Sequence, residues 1–234
     1  RSIQELLDFA LDEAIRLTDS RIGYIYLYDD RKQEFTLNTW SKGVMEACSI
    51  QNPPTAYLLE KTGLWGEAVR QAVPIMVNDF QGPHPLKRGY PEGHAPLYRY
   101  LTVPVFSRER IVAVAAVANK PSDYDESDVR QLTLLMDAVW RIVEERRSAE
   151  ALRHAEEKYR GIFENAQEGI FQVTADGRYI TANRAQAVML GYDSPEDLLL
   201  SVTNTDEQLF VDPEARRKLL LRIDEQGAVA GQEH

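Results

Sequence analysis

The chain has 234 residues with a formal net charge of −10 and 44% hydrophobic residues. That length allows one large or two small soluble domains, and the acidic balance disfavours nonspecific binding to nucleic acid or anionic membranes. The longest apolar run, Ile111 to Ala118, is far too short to span a bilayer, and the single cysteine, Cys48, excludes an internal disulfide or a two-cysteine redox cycle.

The chain opens at Arg1 without methionine. It is expected to be a piece of a longer protein, whose targeting segment could lie outside it. Residues 2–18 carry a helical stripe of Ile3, Leu6, Leu7, Ala10, Leu11, Ala14, Ile15 and Leu17. Ile22 to Tyr28 and Phe35 to Trp40 read as strands of an antiparallel hairpin, joined by the turn Asp29-Asp30-Arg31-Lys32. Residues 43–54 are irregular, and Thr55 to Lys61 is predicted as a short helix. A helix from Leu64 to Gln71 and a strand from Pro74 to Val77 follow. Residues 79–98 form a proline- and glycine-rich loop, expected to lie over a binding site. Tyr100 to Phe106 and Arg110 to Asn119 are two further strands, the second continuously apolar with small residues, as in a central strand packed against helices.

From Asp125 to Phe163 the sequence has no proline, and its only glycine is Gly161. One helix of about ten turns is predicted, with Asp125 and Asp128 suited to its start. Its first half carries Leu132, Leu135, Val139 and Ile142 in 3,4 rhythm, widened by Met136 and Val143. Its second half is charged, with opposite-sign pairs Arg141–Glu145, Arg146–Glu150, Arg153–Glu157 and Glu156–Arg160. A second seam runs through Ala149, Leu152, Tyr159 and Phe163, with Glu145 and Glu156 at its weak points. Joining the two seams takes a phase break near Glu145. This helix and the first are expected to hold a parallel homodimer, and the connector to carry a signal through a change in packing. A solvated linker is the plainer reading.

Beyond it, Gly169 to Val173 and Arg178 to Thr181 read as a hairpin about Ala175-Asp176-Gly177. Asn183 to Leu190 is predicted helical, ended by Gly191. Ser194-Pro195 starts another helix, and a last one runs from Pro213 to about Gln226.

The ordered motifs IGYIYLYDD, TWSKGVMEAC, GLWGEAVRQAVPIMVND, PLKRGYPEGH, YLTVPVF, IVAVAAVANK and DYDESDVRQLTLLMDAVWRIVE, from Ile22 to Arg147, resemble a GAF domain. The subgroup is one found in bacterial sensor kinases and cyclic-di-GMP enzymes. The resemblance implies a six-stranded antiparallel sheet, packed on the first and last helices by one face and covering a small-molecule pocket with the other. FENAQEGIF, D-G-R, N-R-A and L-G-Y resemble the first half of a PAS domain, whose five strands the resemblance implies and of which two fall within this chain. The expected fold class is α+β, organised as a sensory domain over 1–147, a linker helix over 148–163 and a truncated PAS module over 164–234.

The candidate ligand-binding residues are Trp40, Cys48, Trp65, Asp79, Tyr90, His94, Arg99 and Thr102. Binding sites are mostly apolar and aromatic with a few placed polar groups, which favours Trp40, Trp65, Phe80 and Tyr90; plain core is the competing reading. Cys48 could contact a ligand, sense redox state or anchor a chromophore, or simply fill space. Bilin-attaching relatives place histidine after the cysteine, where this chain has Ser49. His84 and His94 lack partners at metal-ligand spacing, so His94 is either a pocket contact or a loop residue. An inward Lys87, Arg88 or Arg99 would call for an anionic ligand. Glu67 and Asp79 could orient a ligand amine or fix the loop.

No phosphate loop, nucleophile elbow or metal triad is present, and no catalytic residue, metal or haem is expected. The carboxylates Asp123, Asp125 and Asp128 are assigned to helix capping. The cofactor is unknown. The expected function is a cytoplasmic, non-enzymatic sensory fragment relaying a small-molecule signal to a kinase or cyclic-di-GMP synthase output. The alternative is a structural dimerisation module whose pocket is filled by side chains.

Overall fold

The computed structural model describes residues 2–41, 43–44, 56–87, 95–174, 176–209, 218 and 221–222. The chain divides into two compact units, Arg1–Ala149 and Glu150–His234. Helix α1, Ile3–Leu17, begins at a reciprocal cap: the Ser2 side chain accepts from Glu5 N, and the Glu5 carboxylate accepts from Ser2 N at 2.8 Å. Its stripe of Leu7, Ala10, Leu11 and Ala14 is buried.

The first unit is built on one antiparallel sheet. Its strands are β1 Ile22–Asp29, β2 Glu34–Trp40, β3 Ala56–Leu58, β4 Ile75–Val77, β5 Tyr100–Ser107 and β6 Arg110–Ala118, in the order β3-β2-β1-β6-β5-β4. The short edge strand β3 corrects the helix predicted over Thr55–Lys61. Ala56 to Leu58 pairs with Glu34 to Thr36, and Leu59 N continues the pairing onto Gln33 O at 2.8 Å. The unpaired edge of β2 thus outweighs local helix propensity, which survives only as a 3-10 turn at Leu59–Lys61. The helix predicted over Leu64–Gln71 appears as a 3-10 turn, Leu64–Gly66, running into α2, Glu67–Arg70.

Period-two alternation sorts the sheet into two faces. Ile25, Leu101, Val103, Val105, Ala113, Ala115 and Val117 join α1 and the start of α3, Glu126–Asn165, in one core. Asp125 caps α3: its Oδ1 accepts from Ser127 N at 2.7 Å and Asp128 N at 3.3 Å, while Asp128 Oδ2 accepts from Asp125 N at 3.0 Å. Asp123 instead pairs with Arg99.

Leu132, Met136, Val139, Trp140 and Val143 of α3 are the residues buried against the sheet. Leu132 and Val139, two of the four residues in the first 3,4 rhythm, are thus buried in the domain's own core, and Leu135 packs against it. Ile142 remains 41% exposed, and Leu135 stands at the edge. A stripe of exposed positions runs along the helix beyond it: Ala138, Ile142, Glu145, Ala149, Leu152, Glu156 and Tyr159. Its steps alternate four and three, a register that needs no phase break near Glu145. Of the predicted i,i+4 pairs, Arg153–Glu157 closes at 3.8 Å.

In the second unit, β7 Phe171–Val173 pairs with β8 Tyr179–Ala182, followed by α4 Arg184–Met189, α5 Pro195–Ser201 and α6 Thr205–Gln208. Asn183 is its fully buried hub. It caps α4 through Gln186 N at 2.9 Å and accepts from Ile170 N at 2.9 Å. Its Nδ2 donates to Phe163 O at 3.0 Å and Glu168 O at 2.9 Å. That uses the full capacity of a side-chain amide and satisfies a carbonyl in the last turn of the long helix. The helix predicted from Pro213 falls almost wholly outside the described residues.

Candidate functional site

The face of the sheet opposite α1 and α3 carries the candidate site. Along β1 the alternation that sends Ile25 to the helices sends Tyr24, Tyr26 and Tyr28 the other way. Tyr24 and Tyr100 flank β6, opposite Ala116 and Ala118 respectively. Alanine at both positions leaves room above the strand, and the two phenols meet there with their oxygens 2.7 Å apart. Thr102 is fully buried beside them; its Oγ1 donates to Ala115 O at 3.2 Å and lies within hydrogen-bonding reach of the Tyr100 phenol. Further along, the Trp40 indole and the Tyr57 phenol both reach the Tyr26 hydroxyl.

Trp65 is the centre of this face. Its ring lies 6.4 Å from Tyr24, 5.4 Å from Tyr26, 5.6 Å from Tyr57 and 4.7 Å from Phe35, mostly edge-on or tilted. Phe80 closes the opposite end, 5.7 Å from Tyr100.

Of the eight sequence candidates, Trp40, Trp65 and Thr102 are thus brought to one tyrosine-lined face. Asp79 is exposed and accepts from Gly82 N at 3.0 Å, which shapes the loop. Arg99 is held by Asp123 at 2.8 Å and reaches Lys120 O at 3.4 Å. Cys48, Tyr90 and His94 lie outside the described residues. Lys87 donates to Phe80 O and lies 4.9 Å over the Phe80 ring. Glu67 is buried and bonded to Arg70 and to Gln71. Sequence reasoning missed Tyr24, Tyr26 and Tyr100. The alternating IGYIYLY was the available signal, since period two puts its tyrosines on one face.

The phenols are held neutral. Burial, then the adjacent Tyr100, pushes Tyr24 well above the ordinary range. Burial raises Tyr26 and Tyr100 as well, opposed in part by the Trp40 indole and by Tyr24 and Thr102 respectively. In the helix-side core, burial pushes Tyr124 up to about 12. A raised phenol pKa stabilises the fold fully below the unfolded value of about 10 and loses that contribution as pH rises through the folded value. Stability should therefore be flat with respect to these groups at neutral pH and fall above about pH 10. Tyrosinate absorbance and circular dichroism, followed together in an alkaline titration, check this. The four enclosed phenols should add their share of the signal only with unfolding, and a folded chain in which all eleven tyrosines ionise near pH 10 would contradict their enclosure.

Among the described residues, no group of three or more His, Cys, Asp or Glu side chains could hold a metal ion. No helix among them is long and apolar enough to cross a membrane.

A six-stranded antiparallel sheet packed by one face on α1 and the start of α3 is the fold of the first unit. Residues 1–144 match the GAF domain and residues 157–224 match a PAS domain. The chain belongs to the GAF domain family, with a PAS module following.

Among particular relatives, it is 50% identical over 152 residues to the methyl sulfide methyltransferase-associated sensor of Methanosarcina acetivorans. That match covers 65% of this chain but only 15% of the relative's length. The fold is similar to the GAF domain of a phosphoenolpyruvate-protein phosphotransferase from Coxiella burnetii, with a TM-score of 0.53 at 14% identity over 64% of this chain and 87% of that one. It is also similar to a GAF domain/HD domain protein from Geobacter sulfurreducens, with a TM-score of 0.51 at 15% identity over 62% and 93% of the two chains.

Proposed function

We propose that this chain is a non-catalytic, cytoplasmic sensory fragment. Its GAF module, residues 1–147, binds a small molecule on the tyrosine-lined face. Residues 148–163 relay the bound state to the PAS module from 164 onward, and to an output domain that is a histidine kinase or a cyclic-di-GMP synthase. One observation supports this reading above the others: a single helix, Glu126–Asn165, runs from the core of the first unit into the second. The name of the Methanosarcina relative, a sensor, points the same way. On this reading two copies pair in parallel through α1 and the outer stripe of α3.

The binding surface combines aromatic rings with buried hydroxyls, the composition of a small-molecule site. The second reading, a dimerisation module with a filled pocket, draws on the close packing of Trp65 against four rings.

Native mass spectrometry of freshly purified chain separates the two. The sensory reading expects an added small-molecule mass that is lost in a Thr102→Val, Tyr24→Phe variant, which keeps the ring packing and removes two hydroxyls. A chain at its bare mass, together with no change in tryptophan fluorescence across a metabolite panel, favours the filled module.

A further inference from the structure

The loop between β4 and β5 borders the candidate site through Phe80, whose ring meets Tyr100. Both of its flanks are fastened to the short segment that leads from β6 into the connecting helix. Asn78, the residue after β4, pairs in both directions with the backbone of Tyr124: Nδ2 donates to Tyr124 O at 2.9 Å, and Oδ1 accepts from Tyr124 N at 2.8 Å. Asn119, the residue after β6, does the same for the far flank. Its Nδ2 donates to Pro96 O at 2.8 Å, and its Oδ1 accepts from Tyr98 N at 2.9 Å. Arg99 adds its ion pair with Asp123. The two flanks are also tied to each other, by Phe80 N to Tyr98 O at 2.8 Å and by Gln81 Nε2 to Leu97 O at 2.5 Å.

The same segment is built into the start of α3. Tyr124 is buried and its hydroxyl lies 2.7 Å from Ser20 Oγ. Lys120 pairs with the buried Asp128 at 2.7 Å, and Asp128 in turn accepts from Asp125 N. Residues 119–128 therefore hold the loop flanks on one side and the first turn of the helix on the other. A single hydrogen bond fixes a distance; a two-point pairing of a side-chain amide with a backbone also fixes orientation, so a moved flank moves its partner with it.

We propose that Asn78 and Asn119 are positioning residues that couple the rim of the candidate site to the first turn of the connecting helix. The proposal rests on the sensory reading and gives its first mechanical step. Displacement of Phe80 at the rim shifts the flanks, the asparagines carry that shift to Tyr124 and to residues 119–123, and the capped start of α3 follows.

Backbone amide exchange in the 234-residue chain, with no ligand present, tests the coupling. The readout is the exchange of Tyr124 N, which Asn78 accepts, and of Val129 N, which closes onto Asp125 O at 3.2 Å. Gln81→Ala loosens the exposed cross-flank tie without touching the helix. It should raise exchange at both amides about fivefold, the scale of one lost hydrogen bond, while Ala115 and Val117 in the central strand stay unchanged.

Asn119→Gly then removes one clamp. Asn119 sits at φ 64°, which glycine adopts without strain, so the fold is retained. In that background the effect of Gln81→Ala on Val129 should fall, with Asn78 and the Arg99–Asp123 pair left as the remaining links. Asn78→Asp, which keeps the acceptor for Tyr124 N and loses the donor to Tyr124 O, should blunt the response at Tyr124.

No response to Gln81→Ala in the otherwise unaltered chain overturns the coupling. So does an equal response with the clamp removed, because a merely structural brace would loosen alike in both backgrounds. Either failure leaves the mass-spectrometric test of binding untouched.

Discussion

Gly23→Val is expected to cost about 3 kcal/mol of folding stability, the upper end for a side chain forced into a packed core. Gly23 lies in β1 where α1 crosses the sheet. A Cβ there would stand 2.7 Å from Ala116 O, 2.9 Å from Leu11 Cδ1 and 3.3 Å from Ile15 Cγ1. The leucine could turn aside, but the carbonyl belongs to the central strand. It can retreat only by disturbing the β1–β6 ladder, in which Gly23 stands opposite Val117. The backbone is otherwise committed too: Gly23 N donates to Ser41 Oγ at 3.0 Å, and Gly23 O accepts from Ser41 N at 3.0 Å. Urea unfolding of the variant should show a large fall in midpoint with little change in slope. A midpoint like that of the unaltered chain would mean that α1 does not lie this close to the sheet.

The other large effect concerns the connecting helix. Its exposed stripe keeps alternating steps of four and three from Ala138 to Tyr159, as a coiled-coil seam requires. Leu152 is 62% exposed and Tyr159 61% exposed, which leaves most of both side chains accessible to a partner helix. Glu145 and Glu156 occupy seam positions. In a parallel pair their carboxylates face like charges, so the pairing is held weak at two points. A weakly paired seam is one that a shift at the helix start can repack. Inserting seven residues after Ala149 in a protein with its output domain should preserve regulation, because the seam returns to phase. Inserting two or three should fix the output in one state, because everything beyond the insertion rotates away from its partner.

Much of this architecture was readable because it is local. Period-two alternation in IGYIYLYDD and YLTVPVF gave strands and faces, and Asp125 and Asp128 gave the helix start. The strand Ala56–Leu58 was not legible, since three residues carry no period and only the open edge of β2 makes them extended. The site was half legible. Trp40 and Trp65 are composition signals, but the meeting of Tyr24 with Tyr100 spans 76 positions and depends on the alanines of β6 between them. The outward face of the long helix was hard to read for a similar reason. The helix has two apolar stripes, and sequence alone does not say which one the sheet takes. Once Leu132 and Val139 are seen to be buried against it, the remaining stripe is continuous. Asn78 and Asn119 gave no signal at all, because an asparagine after a strand reads as a turn residue.

The claim that α3 works as one member of a parallel pair is tested most directly by disulfide trapping. With Cys48 replaced by serine, a cysteine is placed either at Leu152, on the seam, or at the neighbouring Ala151, which is exposed on another side of the helix. At micromolar concentration under mild oxidation, the Leu152→Cys chain should convert rapidly to a covalent dimer while the Ala151→Cys chain stays largely monomeric. A Leu152→Cys chain that remains monomeric, or two variants that cross-link alike, would contradict the seam and leave the helix a tether.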